Sequence, residues 1–401
     1  MCGSHIYICE YNILYKFSIW KVTRMKVIYC DHAATTMLKK EVFNAMIPYY
    51  TEEYGNASSI YSLGRKAKYA ISEARQKVAR VINANSKEIY FTSCGSESDN
   101  LALKGFCYAN KDKGNHIITS KIEHPAILNT CKTLEKQGFE VTYLNVDKNG
   151  FVNLGELNNA ITNNTILVSI MTANNEIGTV QDIEKIGEIC KKKGIVFHTD
   201  SVQAIGNMKI DVRKMNIDML SMSAHKFYGP KGVGALYVKE GIEFDRIQDG
   251  GHQENSKRSG TENVAGIVGL GKAIEISDNN LEKYCSKLLY LRNNFIDKIE
   301  EKIGKENIQI NGDLIKRLPG NINISFRDID SNLLLLELDK RGICASGGSA
   351  CCSSSGSPSH VLAAIGLKKE WMNGTIRLTF GDDNSLEDID YIVNSIKEII
   401  K

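Results

Sequence analysis

Chemistry is first sought where apolar runs give way to polar residues. Met219-Leu220-Ser221-Met222-Ser223-Ala224-His225-Lys226 puts Lys226 just past one strand-like run, and Ile195-Val196-Phe197-His198-Thr199-Asp200 puts Asp200 just past another. A third apolar run, residues 166–171, leads into Thr172-Ala173-Asn174-Asn175-Glu176-Ile177-Gly178. In an open parallel sheet, ligands bind beyond the carboxyl ends of the strands. A lysine amine placed there can bond a carbonyl carbon, and an aspartate can hold a cationic ring nitrogen. Alone, such a lysine is usually solvated and such an aspartate usually caps a helix. Only as a set do they point to chemistry.

Phe91-Thr92-Ser93-Cys94-Gly95-Ser96-Glu97-Ser98-Asp99-Asn100 reads as strand, tight turn and helix. Gly95 lets the backbone approach a ligand, and Ser96 with Asp99 has the spacing of a capping box with Ser96 as N-cap. Free N–H groups at that helix end favour a phosphate. Neither a Walker pattern nor G-x-G-x-x-G occurs in it, which argues against a nucleotide. His124, in Ile122-Glu123-His124-Pro125, adds a planar ring. Lysine, anionic partner, phosphate cradle and stacking group are together what pyridoxal phosphate requires.

Two adjacent cysteines, Cys351 and Cys352, stand in the Ser/Gly-rich stretch 345–357. Such small residues bury too little apolar surface to offset ordering entropy, so the stretch reads as a mobile loop carrying a thiol. Without the cofactor set, the pair could be incidental. The total of eleven cysteines is odd and lacks any C-x-x-C pair, which fits a reducing cytoplasm rather than a disulfide framework or a zinc site.

These groups must be positioned by alternating elements. Helix periodicity covers residues 58–82, 97–108 and a stretch from 126; strands are expected near 88–92, 116–119, 140–144, 165–170, 195–199, 219–222 and 233–238. That alternation implies an α/β fold with a mainly parallel sheet covered on both faces. A smaller α+β part follows, with helices near 281–302, 331–340 and 386–400 and strands near 321–325 and 375–379. A chain of 401 residues exceeds what one core usually organises, so two domains are expected. Lys and Arg number 50 against 47 Asp and Glu, a net charge of +3 spread along the chain, which offers no nucleic-acid surface. Residues 1–24 are apolar but broken by Glu10 and Lys16, unsuited to span a bilayer or act as a signal peptide, and read as an upstream extension or non-native start.

Four segments then make the pattern specific. Asp31-His32-Ala33-Ala34-Thr35-Thr36, Ser223-Ala224-His225-Lys226, Arg258-Ser259-Gly260-Thr261 and Ser349-Ala350-Cys351 resemble, in order, the signature segments of cysteine desulfurases of the NifS/IscS type. The resemblance runs from about Val27 to the C-terminus. It implies a fold-type I pyridoxal-phosphate enzyme of the class-V aminotransferase family. A large domain over 37–275 would hold a seven-stranded, mainly parallel sheet; a small domain from 25–36 and 276–401 would carry the 345–357 loop. Lys226 would hold the cofactor covalently, Asp200 would face its ring nitrogen, and Gln203 and Asn175 its hydroxyl side. His124 would stack on the ring and assist proton transfer. Gly95, Ser96, Ser223 and His225 would hold the phosphate, joined by Thr261 from the partner subunit of a homodimer. Arg377 would clamp the substrate carboxylate, Asn56 would lie on the substrate side, and Cys351 would receive sulfur from L-cysteine.

Two departures stand out: Gly95-Ser96 where many relatives have Ala-Thr, and Ala57 where proline is common. The spacing from Cys351 to Pro358-Ser359-His360 resembles the long-loop group, whose cysteine passes sulfur to an acceptor protein such as an iron–sulfur scaffold or a thiolation enzyme. Cys352 could relay sulfur, trap Cys351 or be idle. A selenocysteine lyase or another pyridoxal-phosphate lyase or aminotransferase would share the fold and Lys226. A non-enzymatic sulfur-transfer scaffold would need none of the reactive set.

Overall fold

The computed structural model describes residues 26–347 and 359–400. Cys351, Cys352, the 1–24 extension and most of the 345–357 stretch lie outside the described residues.

Strand β1 (Ile28–Tyr29) opens the fold. A seven-stranded sheet follows from β2 (Ile89–Thr92), β3 (His116–Ser120), β4 (Glu140–Leu144), β5 (Thr165–Ser169), β6 (Val196–Asp200), β7 (Met219–Ser223) and β8 (Gly234–Val238). Its spatial order is β2-β8-β7-β6-β5-β3-β4. Strands β3 to β7 run parallel, and β8 is antiparallel to both neighbours. Each expected strand of this sheet is present to within a residue or two.

Period-2 alternation divides the side chains between two apolar layers. Val168, Leu220, Met222, Ala235 and Tyr237 point into one layer, and Leu167, Met219, Leu236 and Val238 into the other. Strands β3, β5, β7 and β8 are buried along their whole length, as a sheet covered on both faces requires. Polar residues inside this sheet are satisfied across it. His198 pairs with Ser169 Oγ (2.9 Å) through Nδ1 and with Ser221 Oγ (3.0 Å) through Nε2, linking β5, β6 and β7. Burial pushes its pKa down to about 3, so it is a neutral core histidine.

The smaller sheet contains β9 (Ile308–Ile310) and β10 (Asn321–Phe326); β11 (Ile343–Cys344) pairs instead in parallel with β1, and β12 (Thr375–Thr379) lies antiparallel beside β10. Ile322, Ile324, Phe326, Ile376 and Leu378 pack on Leu288, Phe295, Ile389 and Val393 of the helices Leu281–Ile303 and Leu386–Ile400. The alternate residues Asn321, Asn323, Ser325, Thr375, Arg377 and Thr379 are polar yet also buried. Their face is turned on the main sheet's 174–180 loop: Asn321 and Asn323 donate to Glu176 O at 3.2 and 3.3 Å. The junction between the sheets is therefore polar and hydrogen-bonded. Among the described residues no helix is long and apolar enough to cross a membrane.

One helix begins earlier than its sequence signals suggest. The helix Gly95–Asn100 has Cys94, not Ser96, as N-cap, without a side-chain capping bond. It continues through a π turn, Leu101–Gly105, into Phe106–Asn110. Glu97 takes the Ser93 N–H instead (2.7 Å), which leaves the Ser96 hydroxyl out of the helix's own capping.

The 253–256 turn is strained, with Glu254, Asn255 and Ser256 at φ of 45°, 55° and 64°. Glu254 holds it in place. Its carboxylate takes two Arg75 N–H bonds at 2.7 Å each and the Phe91 N–H at 2.9 Å, tying helix Ser62–Val81 and β2 to this turn. Replacing Glu254 with Ala leaves Arg75 without its buried partner and should cost about 3–5 kcal/mol. Urea unfolding followed by tryptophan fluorescence and circular dichroism measures it; a loss below about 1 kcal/mol would contradict the anchoring role.

Candidate active site

At the carboxyl ends of β6 and β7 a cavity of about 290 Å³ opens. It is lined by Gly95, Ser96, His124, Asn175, Asp200, Gln203, Ser223, His225, Lys226 and Arg377 among others, so most of the residues singled out in the sequence converge there. Asn56 and Thr261 are exposed and lie outside this cavity. The Asn56 side chain accepts from Ser58 N–H at 2.9 Å.

Lys226 ends a single 3-10 turn, Ala224–Lys226, directly after β7. Its Nζ donates to Ala33 O (2.5 Å) and Ala34 O (2.8 Å), and Gln203 Nε2 donates to the same Ala33 O (3.0 Å). The 31–36 segment thus roofs the lysine. Thr36 fixes the segment by donating to His225 O through N–H and hydroxyl, both at 2.9 Å.

Asp200 is the last residue of β6; its Oδ1 accepts from Val202 N–H at 2.9 Å. Burial raises its pKa, opposed by His124 and Lys226. Behind it lies Asp99, fully buried, whose Oδ1 has no hydrogen-bond partner among the described residues and sits 3.8 Å from His198 Nε2. Burial and the Asp200 charge hold the Asp99 pKa far above the usual carboxylate range. Two carboxylates in one buried site do not both ionise easily, and the Asp200 charge adds to the burial that pushes Asp99 towards its protonated form.

His124 is the N-cap of the helix Pro125–Glu135 and accepts the Ala126 N–H on Nδ1 at 3.2 Å. Burial lowers its pKa, so the ring is neutral with its proton on Nε2. His225 is likewise neutral, with its pKa pushed down to about 4 by burial and by Lys226. Its Nδ1 meets Thr35 Oγ1 at 3.1 Å.

At the helix start, a Cβ on Gly95 would meet Val202 Cγ2 at 2.6 Å and Ser223 Cβ at 3.4 Å. Ser223 Oγ is buried without a partner among the described residues, an unsatisfied donor beside that turn. Arg377 is 2% exposed; its Nη1 donates to Asn175 O (3.0 Å) and its Nη2 to Asp31 Oδ1 (2.6 Å). The cavity thus offers an amine, a carboxylate, a neutral imidazole, an anion cradle and a fixed guanidinium. That combination suits a carbonyl cofactor with a phosphate tail and an amino-acid substrate.

Sequence reasoning gave Asp99 only a capping role. The available signal was its position four residues after Gly95, on the same helix face. Cys94 also lines the cavity. Glu123, under His124, takes Ser120 Oγ–H (2.6 Å) and the Met171 N–H (3.0 and 3.1 Å).

Residues 28–392 match the class-V aminotransferase family, and the chain belongs to it. Within that class it is 56% identical over 378 residues to cysteine desulfurase IscS of Clostridium botulinum (strain Hall), covering 94% of this chain and 95% of that protein. It is 54% identical over 379 residues to cysteine desulfurase IscS of Methanosarcina thermophila, covering 94% and 93%. The chain is a member of the cysteine desulfurase family. A solved NifS-like protein matches with a TM-score of 0.88 at 38% identity, over 94% of this chain and 99% of that one. SspA, solved in complex with cysteine, matches with a TM-score of 0.77 at 38% identity, over 88% and 98%. The α/β architecture is that of the fold-type I enzymes.

Glu123 gives a pH test of this buried polar floor. Burial raises its pKa from 4.5 to about 8 against the opposing hydrogen bonds. The folded state therefore binds this proton more tightly than the unfolded chain. Its stabilising contribution is full below 4.5 and is lost as pH rises through about 8. Glu123→Gln, which never ionises, should gain Tm relative to wild type as pH rises from about 5 to about 8. A Tm difference that stays constant across that range would contradict the assignment.

Proposed function

We propose that this chain removes sulfur from L-cysteine with pyridoxal phosphate held at Lys226, giving L-alanine and a persulfide on Cys351. The observation that carries this reading is the meeting of Lys226, Asp200, His124, the Gly95 turn and Arg377 around one cavity. The residues fit the cofactor. Ser223 Oγ is an unsatisfied buried donor, Gly95 leaves room that a Cβ would fill, and Asp200 is a buried acid opposite the lysine's strand.

Gly95, Ser96, Ser223 and His225 would hold the phosphate, Asp200 the ring nitrogen, and Gln203 and Asn175 the hydroxyl side. His124 would cover the ring face. When bound, pyridoxal phosphate supplies the electron sink that makes the substrate α-carbon acidic. Arg377 holds the α-carboxylate and so turns the single α-hydrogen towards Lys226. Once exchanged for the substrate's amine, the Lys226 amine takes that proton as general base. The Cys351 thiolate attacks the substrate sulfur: an S–S bond forms and the C–S bond breaks. The released electron pair stays on the β-carbon, which is protonated as L-alanine forms. His124, whose Nδ1 accepts the Ala126 N–H, would exchange protons at this stage through Nε2.

Thr261 would serve the phosphate of a second copy in a homodimer. In support, Thr261 is exposed, and Phe43, Ile47, Tyr50 and Tyr54 form an exposed apolar surface that a second copy would cover. Asn56 would act on the substrate side in that assembly. The persulfide would pass to an acceptor protein such as an iron–sulfur scaffold or a thiolation enzyme, in the cytoplasm.

Cys351→Ala should keep the cofactor's visible absorbance yet release no L-alanine from L-cysteine under reducing turnover. Full alanine release in that variant would move the sulfur-accepting role elsewhere, with Cys352 first in line. Lys226→Ala should lose turnover by at least about a thousandfold, the scale expected for removing a general base and covalent anchor together. Retained turnover in Lys226→Ala would sink the mechanism.

A further inference from the structure

The segment Asp31-His32-Ala33-Ala34-Thr35-Thr36 has an acid at its start that the mechanism above does not use. Asp31 leaves β1, bridges Thr379 of β12, and accepts at both carboxylate oxygens. Oδ1 takes Arg377 Nη2–H at 2.6 Å, and Oδ2 takes Ser346 Oγ–H at 2.6 Å. Ser346 is also backbone-paired with Arg377, with its N–H on Arg377 O at 3.1 Å and its O taking Arg377 N–H at 2.6 Å. Arg377, Asp31 and Ser346 therefore close a ring. Arg377 Nη1 is committed to Asn175 O, while Nε is buried without a partner among the described residues.

We propose that Asp31 is a built-in competitor for the Arg377 guanidinium. It exchanges with the substrate's α-carboxylate at Nη2 and shifts onto Ser346, thereby setting the affinity for carboxylate ligands. This rests on the reading of Arg377 as the carboxylate clamp. A guanidinium that is 2% exposed needs a counter-charge, and Asp31 supplies one. With Nη1 turned to Asn175 O, a fork-like contact by an incoming carboxylate has Nε and Nη2 to use, and Nη2 is where Asp31 binds. The second Asp31 oxygen already has a donor in Ser346, so the exchanged acid keeps a hydrogen bond. Asp31 is a positioning residue, acting on substrate through Arg377.

Substitutions at Asp31 and at its partner Ser346 have opposite expected effects. Asp31→Asn keeps the shape but removes the charge that competes with the ligand, so carboxylate ligands should bind more tightly. Ser346→Ala removes the bond that receives the exchanged acid, so carboxylate ligands should bind more weakly. Support that was merely structural would weaken binding in both.

The test is calorimetric titration of the cofactor-loaded protein with L-alanine, and with L-alaninamide, which lacks the carboxylate. Asp31→Asn should bind L-alanine about threefold more tightly or better, and Ser346→Ala about threefold more weakly, the scale of one hydrogen bond. L-alaninamide affinity should stay within about twofold in both. Equal or weaker L-alanine binding by Asp31→Asn, or equal shifts for the two ligands, would overturn the proposal. If Asp31→Asn does not fold, Asp31→Ser takes its place with the same readout: tighter L-alanine binding at unchanged L-alaninamide affinity supports the proposal, and equal or weaker L-alanine binding overturns it. Wild-type protein that binds L-alanine no better than L-alaninamide would sink the Arg377 reading itself, and the Asp31 proposal with it.

Discussion

Cationic side chains drawn out of water need fixed oxygen partners, and one short segment supplies them here. Residues 31–36 give Lys226 two carbonyl oxygens and Arg377 a carboxylate, while Thr36 secures the segment to His225 O. The same residues cross from β1 to the main sheet, with Ala33 N–H on Thr379 Oγ1 at 2.9 Å. Lys226 and Arg377, which come from different sheets, are thereby held in one frame. The polar faces of β10 and β12 complete it, because a junction made of hydrogen bonds fixes geometry more sharply than an apolar one.

Under this frame the floor of the cavity is buried and largely neutral. His198 and Asp99 are uncharged, Glu123 holds its proton up to about 8, and His225 stays neutral down to about 4. Asp200, which His124 and Lys226 favour in its charged form, then faces the cavity beside largely neutral groups. In such surroundings its field on a ring nitrogen is stronger than it would be in water. The ladder Ser169–His198–Ser221 makes this possible by satisfying the buried imidazole through hydroxyls alone.

Much of the fold was legible in the sequence because its strands are continuous apolar runs bounded by polar residues. Lys226 and Asp200 could be placed at strand ends for the same reason. The cap at Gly95 was misread: Ser96 and Asp99 have capping-box spacing, but Asp99 turns inward onto the sheet and the helix starts at Gly95. Asp31 and Arg377 stand 346 residues apart, and Arg75 and Glu254 179 apart, so no local pattern announces either pair. The alternation in β10 and β12 looks like a sheet with one wet face. Only the packing of the 174–180 loop shows that this face is buried. Family resemblance supplied the roles of Asn56 and Thr261, which the geometry of one chain leaves outside the cavity.

The chemistry proposed for this site is the movement of sulfur from L-cysteine to Cys351. A single turnover tests it most directly: cofactor-loaded protein is mixed with L-cysteine without reductant, quenched by alkylation, and analysed for L-alanine and for peptide masses. One L-alanine per active site is expected, with one added sulfur atom on the peptide containing Cys351, localised by fragmentation to that residue. L-alanine without added sulfur there, or sulfur localised to another cysteine, would contradict it.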